Sequence, residues 1–211
     1  MFAKRVVFLM KKAMIIIAML ALLAACKQQA PHSILPEGCV LEEGDLVFRR
    51  GNGMTSRAVL AVDRHGSYSH IGIAVDSCGT MMIVHAVPGE PDYEGDPDRV
   101  KMESPEKFYS SLNARIGEVR RLHDNRAAAS EAARHALEVY RRGTLFDHDY
   151  DDSDTTKMYC CELITFAYGK AGIRLTDGKR HRFKLPGMKP ICCILPSDIC
   201  NSRMLTKIIS F

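Results

Sequence analysis

Two apolar runs rich in branched residues, 70–75 and 81–87, stand on either side of Asp76-Ser77-Cys78-Gly79-Thr80. Runs of this length, parted by a short turn segment with a glycine in it, predict a β-hairpin. The segments around it set the fold class. Gly44-Asp45-Leu46-Val47-Phe48-Arg49 predicts a turn entering a strand, and residues 116–122 predict another strand. Residues 126–142 have an Ala-rich helical composition, with Asp124 or Asn125 to cap the start and Gly143 to end it. Residues 160–170 predict a second, buried helix closed by Gly172. Residues 88–97 are a loop rich in Gly, Pro and acids, and residues 144–158 are an Asp-rich loop. Strands first and helices later predict an α+β protein rather than alternating α/β.

The first 25 residues predict a leader that is not part of this fold. Lys4, Arg5, Lys11 and Lys12 form a basic region, and residues 14–25 form an apolar run too short to span a bilayer as a helix. The run ends Leu23-Ala24-Ala25-Cys26, the pattern of a bacterial lipoprotein signal peptide whose cysteine becomes the lipidated N-terminus. The expected organisation is a lipoprotein signal peptide over 1–25, a lipidated Cys26 and tether over 26–40, and one domain over 41–211. Such a protein resides in the cell envelope, held to a membrane by its lipid. The chain carries 29 Lys and Arg against 25 Asp and Glu. The leader holds four of the basic residues and no acid, so the mature part is formally neutral. No net positive field directs it to nucleic acid.

Seven cysteines remain beside Cys26: Cys39, Cys78, Cys160, Cys161, Cys192, Cys193 and Cys200. Export permits disulfides, and six thiols remain for pairing if one stays free. The Cys160-Cys161 and Cys192-Cys193 doublets lack the two-residue spacer of common zinc sites, so no metal and no other cofactor is expected.

His70 opens the first branched run, and Cys160 opens the second helix. A thiol attacks carbonyls well as thiolate, and an imidazole beside it can take its proton. At the first helical turn, free N–H groups and the positive end of the dipole favour that thiolate. The backbone N–H of the nucleophile can also help hold an oxyanion. Cys161 is the rival nucleophile. One residue along a helix turns the side chain by about 100°, so both thiols cannot face one base. If the hairpin turns around residues 77–80 without a bulge, Asp76 opposes Met81 and Gly72 opposes His85. His70 and His85 then share a face as diagonal neighbours, about 7–8 Å apart at the backbone. His85 can hydrogen-bond one nitrogen of His70 and fix its tautomer. A slip of one residue would put the two rings on opposite faces.

Gly44-Asp45-Leu46-Val47-Phe48, Tyr68-Ser69-His70-Ile71-Gly72-Ile73, Val84-His85-Ala86 and Tyr159-Cys160-Cys161-Glu162-Leu163, in this order, resemble the YiiX/YebB-like group of the NlpC/P60 papain-like superfamily. The similarity spans residues 41–172. In papain and ordinary NlpC/P60 proteins the cysteine precedes the histidine. In the permuted group the barrel and its histidine come first, as here. The resemblance implies a circularly permuted papain-like fold, a small antiparallel barrel-like sheet packed on the helices of 126–142 and 160–170. It implies Cys160 as nucleophile, His70 as base and His85 in the third polar position. It also implies an amidase or peptidase acting on cell-wall peptide or on N-acylated molecules. Two positions depart from the pattern. Cys161 takes the place of a serine, and Phe146, in Gly143-Thr144-Leu145-Phe146-Asp147, stands where relatives carry a tyrosine.

Two rival readings use the same residues. Permuted relatives resembling lecithin:retinol acyltransferase use the order His, His, Cys to move acyl chains, and a lipid-anchored protein is well placed for that. An apolar tunnel marks this reading, whereas a polar open groove marks peptide cleavage. An envelope lipoprotein that binds a ligand or senses redox state would show a thiol of ordinary reactivity. A monomer is expected in each case.

Overall fold

The computed structural model describes residues 31–151, 155–184 and 190–211. The predicted signal peptide, Cys26 and the first part of the tether lie outside the described residues. The order of elements is β1 (Leu46–Arg50), α1 (Met54–Val62), β2 (His70–Ser77), β3 (Thr80–Val87), β4 (Arg99–Glu103), α2 (Pro105–Phe108), β5 (Ile116–Leu122), α3 (Arg126–Arg141), β6 (Leu145–Phe146), β7 (Lys157–Met158), α4 (Cys160–Lys170), β8 (His181–Phe183), β9 (Ile191–Cys193), α5 (Pro196–Cys200) and β10 (Leu205–Ser210).

Eight strands form one sheet in the order β10-β5-β1-β2-β3-β4-β6-β7. All its pairs are antiparallel except the short β6–β7 pair. The architecture is therefore mixed α+β, and its sheet is larger than the small one expected from the sequence. The pairing order has two ends, so among the described residues the ladder is not closed. β8 and β9 form a separate hairpin.

The central hairpin has the expected register, with Asp76 opposite Met81 and Ser77 opposite Thr80. Its two turn residues, Cys78 and Gly79, have φ of 56° and 81°. Two consecutive positive φ values are those of a type I′ turn, whose twist matches that of the strands. The Asp76 carboxylate accepts from the Gly79 N–H at 2.6 Å and braces the turn.

One face of the sheet is covered by α3 and α4, which pack on each other and on β2 and β3. The buried residues of α3 are Ala129, Ala132, Ala133, Ala136, Leu137 and Val139. This spacing draws an apolar stripe along the helix, and its small residues allow close approach. Asn125 caps α3 by accepting from the Ala128 N–H at 3.0 Å, and Gly143 leaves the helix at φ 71°. The other face forms a second core, in which Val47, Ala74, Ile83 and Val119 meet Phe108 and Tyr109.

Gly44 ties the start of β1 to both helices. Its carbonyl accepts from the Tyr168 hydroxyl of α4 at 2.5 Å. Its φ is +86°, and a Cβ there would lie 2.5 Å from the Ala129 carbonyl oxygen of α3. Gly44→Ala is therefore expected to destabilise the fold by about 2–3 kcal/mol. A fall in the urea midpoint with an unchanged slope checks this, and an unchanged midpoint would refute it.

Candidate active site

His70 is the first residue of β2, at the end of the sheet where the N-terminus of α4 arrives with Cys160. Extending the hairpin register by one pair puts Gly72 opposite His85. A Cβ on Gly72 would meet His85 Cβ at 3.2 Å and Ile83 Cγ2 at 2.7 Å, so the glycine leaves the space that the imidazole layer fills. His70 Nε2 and His85 Nδ1 are 2.8 Å apart. The expected diagonal pair is therefore in place. Phe108 from α2 packs against both rings, at centroid distances of 5.8 and 5.2 Å.

The line continues to a residue that the sequence reading did not anticipate. Glu103 ends β4, and its Oε1 lies 3.1 Å from His85 Nε2. Neither atom makes an aligned hydrogen bond, so this is a charge contact in a buried setting. Burial pushes the Glu103 carboxyl up, but the facing His85 together with Arg49 and Lys107 hold it at about 2. Arg49 is buried beside the histidines, donates to the Phe108 carbonyl at 2.8 Å and pairs with Glu90 at 2.5 Å.

One assignment of tautomers makes the line consistent. His70 carries its proton on Nε2 and donates to His85 Nδ1, and His85 carries its proton on Nε2, facing the Glu103 carboxylate. His70 Nδ1 is then left with a lone pair. Burial pulls His70 down to about 4, against its hydrogen bond with Cys160, and the Arg49 charge acts in the same direction as burial.

Cys160 is half-buried and Cys161 is buried. Their sulfurs are 4.0 Å apart. A hydrogen bond from Cys161, and then the pairing with His70, hold the Cys160 thiol well below the ordinary value despite burial. Cys161 moves the other way, pushed well above that value by burial and by the neighbouring Cys160. The doublet thus separates into one thiol poised as thiolate and one kept protonated as a donor. At the helix start, Glu162 accepts from the Tyr159 N–H at 3.3 Å and holds the first turn. Of the other described thiols, Cys39, Cys78, Cys192 and Cys200 are unbridged.

Cys160 lines two cavities. One, of about 570 Å³, has apolar walls from α1 and from Phe183, Ile191, Ile194 and Leu195. The other, of about 370 Å³, also holds His70 and is edged by Asn52, Ser56, Ser69, Glu90 and Asn113. Tyr150 lines both cavities. Phe146, the position that departs from the tyrosine of the resembled pattern, is buried and packs on the Tyr150 ring at 6.1 Å. A tyrosine therefore does reach the cavities that hold Cys160, from four residues further along. Burial and the Cys160 charge raise its pKa, so it carries its hydroxyl proton. Of the remaining histidines, His123 has a side chain 64% exposed and pairs with Asp124, whereas His148, equally exposed, pairs with Asp98 and lines the larger of the two cavities together with Cys160.

No family model and no curated protein matches this chain. Among solved structures, the fold is similar to that of the metalloprotein YiiX from Escherichia coli O157:H7. The two are 17% identical, with 81% of this chain and 97% of that chain covered and a TM-score of 0.59. The chain thus has a YiiX-like fold. None of the described helices is long and apolar enough to cross a membrane.

Proposed function

We propose that this protein is a cysteine hydrolase of the permuted papain-like, NlpC/P60 kind, cleaving an amide or related acyl bond through a thioester at Cys160. The observation that carries this reading is the line from the Cys160 thiol through His70 to His85 and Glu103, with both histidines buried. In the first step Cys160 Sγ attacks the carbonyl carbon as its proton passes to His70 Nδ1. The carbon–nitrogen bond breaks, and the leaving amine takes that proton from His70. Water, activated by the same nitrogen, then attacks the thioester, releasing a carboxylic acid and restoring the thiol. The backbone N–H groups at the start of α4 and the Tyr150 hydroxyl are the donors available to the oxyanion.

The similar solved protein is described as a metalloprotein. Among the described residues of this chain, no group of three or more His, Cys, Asp and Glu is arranged to hold a metal ion. His70 Nε2 and His85 Nδ1 are engaged with each other, which leaves them poor ligands. The steps above are accordingly assigned to the protein's own side chains.

His85 acts through His70 and is a positioning residue. His85→Ala is expected to lower kcat/KM for p-nitrophenyl butyrate by about tenfold to a hundredfold, less than the ~10²–10⁴ that a proton-transfer group contributes. The loss should fall on kcat, and the thiolate limb of the pH profile should move to higher pH. An unchanged pH profile and rate would remove His85 from the site.

A further inference from the structure

We propose that the surface formed by Met54, Arg57, Leu112 and Arg115 rests on an anionic phospholipid membrane, so that the smaller cavity, the one that holds His70, opens onto the lipid headgroups. This rests on the lipid anchor expected at Cys26 and not on the reaction assigned to Cys160.

Met54 starts α1 and is 86% exposed, and Leu112, between α2 and β5, is 64% exposed. Both line the smaller cavity, so two bare apolar side chains stand at its mouth. They belong to one surface. Asn52 donates to the Ser111 and Leu112 carbonyls, at 3.0 Å each, and holds that loop against the segment entering α1. The Asn52 side-chain oxygen in turn accepts from Arg115 Nε at 2.7 Å. Arg57, also exposed, lies one turn along α1 from Met54. Among the described residues, neither Arg57 nor Arg115 pairs with a carboxylate, whereas Arg49, Arg99, Arg120, Arg121 and Arg134 all do. The one carboxylate on the described cavity lining, Glu90, is answered by Arg49. Apolar tips beside uncommitted guanidinium groups suit a phospholipid surface. The tips enter the boundary between headgroups and acyl chains, and the cations meet phosphates.

The length of the tether decides which face can reach the membrane. The His32 carbonyl accepts from the Ser111 N–H at 2.7 Å, and the His32 N–H donates to the Ser111 hydroxyl at 3.3 Å. The chain therefore joins the domain beside Leu112. His32 is six residues on from Cys26, a stretch that spans at most about 20 Å when fully extended. A domain of this length is about 40 Å across. If the opposite side faced the membrane, His32 would stand farther from it than the tether can reach. A lipid on Cys26 thus keeps the Leu112 side toward the bilayer, and the exposed apolar pair and the two arginines lie on that side.

The chain has no tryptophan, so a single introduced indole reports its own surroundings. Leu112→Trp, Met54→Trp and Met204→Trp would be compared in the lipidated mature protein. Each is reconstituted into vesicles of phosphatidylglycerol and phosphatidylcholine, with and without dibrominated phosphatidylcholine as quencher. Met204 is the control, exposed at a cavity that shares no residue with the one holding His70. The bromolipid is expected to quench Leu112→Trp and Met54→Trp at least about twofold, and to leave Met204→Trp within about a tenth of its unquenched emission. Adding Arg57→Glu and Arg115→Glu should reduce the quenching of Leu112→Trp, as should high salt, which screens exposed charges. Equal quenching at Leu112→Trp and Met204→Trp, or none at Leu112→Trp, would overturn the docking face. The mass of the N-terminal peptide reads the anchor separately. A mature protein without lipid on Cys26 would overturn the anchor and the docking face with it. A lipidated Cys26 with an unquenched Leu112→Trp would keep the anchor and remove the face.

Discussion

Cys160→Ala is expected to reduce kcat/KM for p-nitrophenyl butyrate by about 10³ or more, whereas Cys161→Ser stays within about threefold of the unaltered protein. The asymmetry follows from the doublet's opposite environments. Cys160 is half-buried, lines both cavities and is held toward thiolate by Cys161 and His70. Cys161 is buried and stays protonated. Its contribution is a hydrogen bond to its neighbour's sulfur, which a serine hydroxyl can still donate. Cys161→Ala keeps no such donor. It should shift the thiolate limb of the pH profile to higher pH while retaining turnover at alkaline pH. Steady-state rates and folded-state spectra of the three variants check this. A Cys161→Ser protein that is inactive beside an active Cys160→Ala protein would move the nucleophile by one residue.

His70→Ala should cost about 10²–10⁴ in kcat/KM at neutral pH. The pairing with His70 lowers the Cys160 pKa, so thiolate forms as pH rises through a depressed value. Without His70 that value returns toward an ordinary thiol's. Activity is then lost most at neutral pH and partly regained at alkaline pH, where thiolate forms unaided. The general acid for the leaving group is gone at every pH, so recovery is incomplete. The same variant carries a stability signature. Folded His70 titrates at about 4, below the 6.5 of an ordinary imidazole. Between these two values the unfolded chain takes up a proton that the folded chain does not. Stability is therefore lost as pH falls from 6.5 to 4, by on the order of 3 kcal/mol for the full shift. In His70→Ala this part of the pH dependence should vanish, leaving the contributions of His85, also depressed by burial, and of Glu103. An equal pH slope in both proteins would contradict it.

The hairpin and the two main helices were legible because their signals are local. A glycine-bearing two-residue turn sets the register that juxtaposes His70 and His85, and Asn125 and Gly143 mark the ends of α3. The elements that the sequence reading missed have no such punctuation. β4 reads Arg99-Val100-Lys101-Met102-Glu103, an alternation whose charged face would ordinarily look to water. Here Lys101 and Glu103 are buried, because Asp92 and His85 meet them. Setting that alternation against β3 would have placed Glu103 two positions along from the partner of His85, since His85 opposes Lys101. β10 finds β5 across more than eighty residues of chain, and β6 and β7 are two residues each, too short for any periodicity. α1 has a single buried residue, Ser56, to announce it, yet it forms a wall of both cavities that meet at Cys160. The pair of catalytic candidates could thus be read from short motifs, whereas the acid behind them and the walls around them depend on contacts between distant segments.

The most direct test of the central claim needs no substrate. The alkylation rate of each cysteine by iodoacetamide would be measured against pH by mass spectrometry, in the unaltered protein and in His70→Ala. The account predicts that Cys160 reacts with a pKa well below an ordinary thiol's and well below that of Cys161, and that this low value is lost in His70→Ala. A Cys160 of ordinary reactivity, unchanged by His70→Ala, would contradict the thiol-hydrolase account and leave the fold with a binding or sensing role.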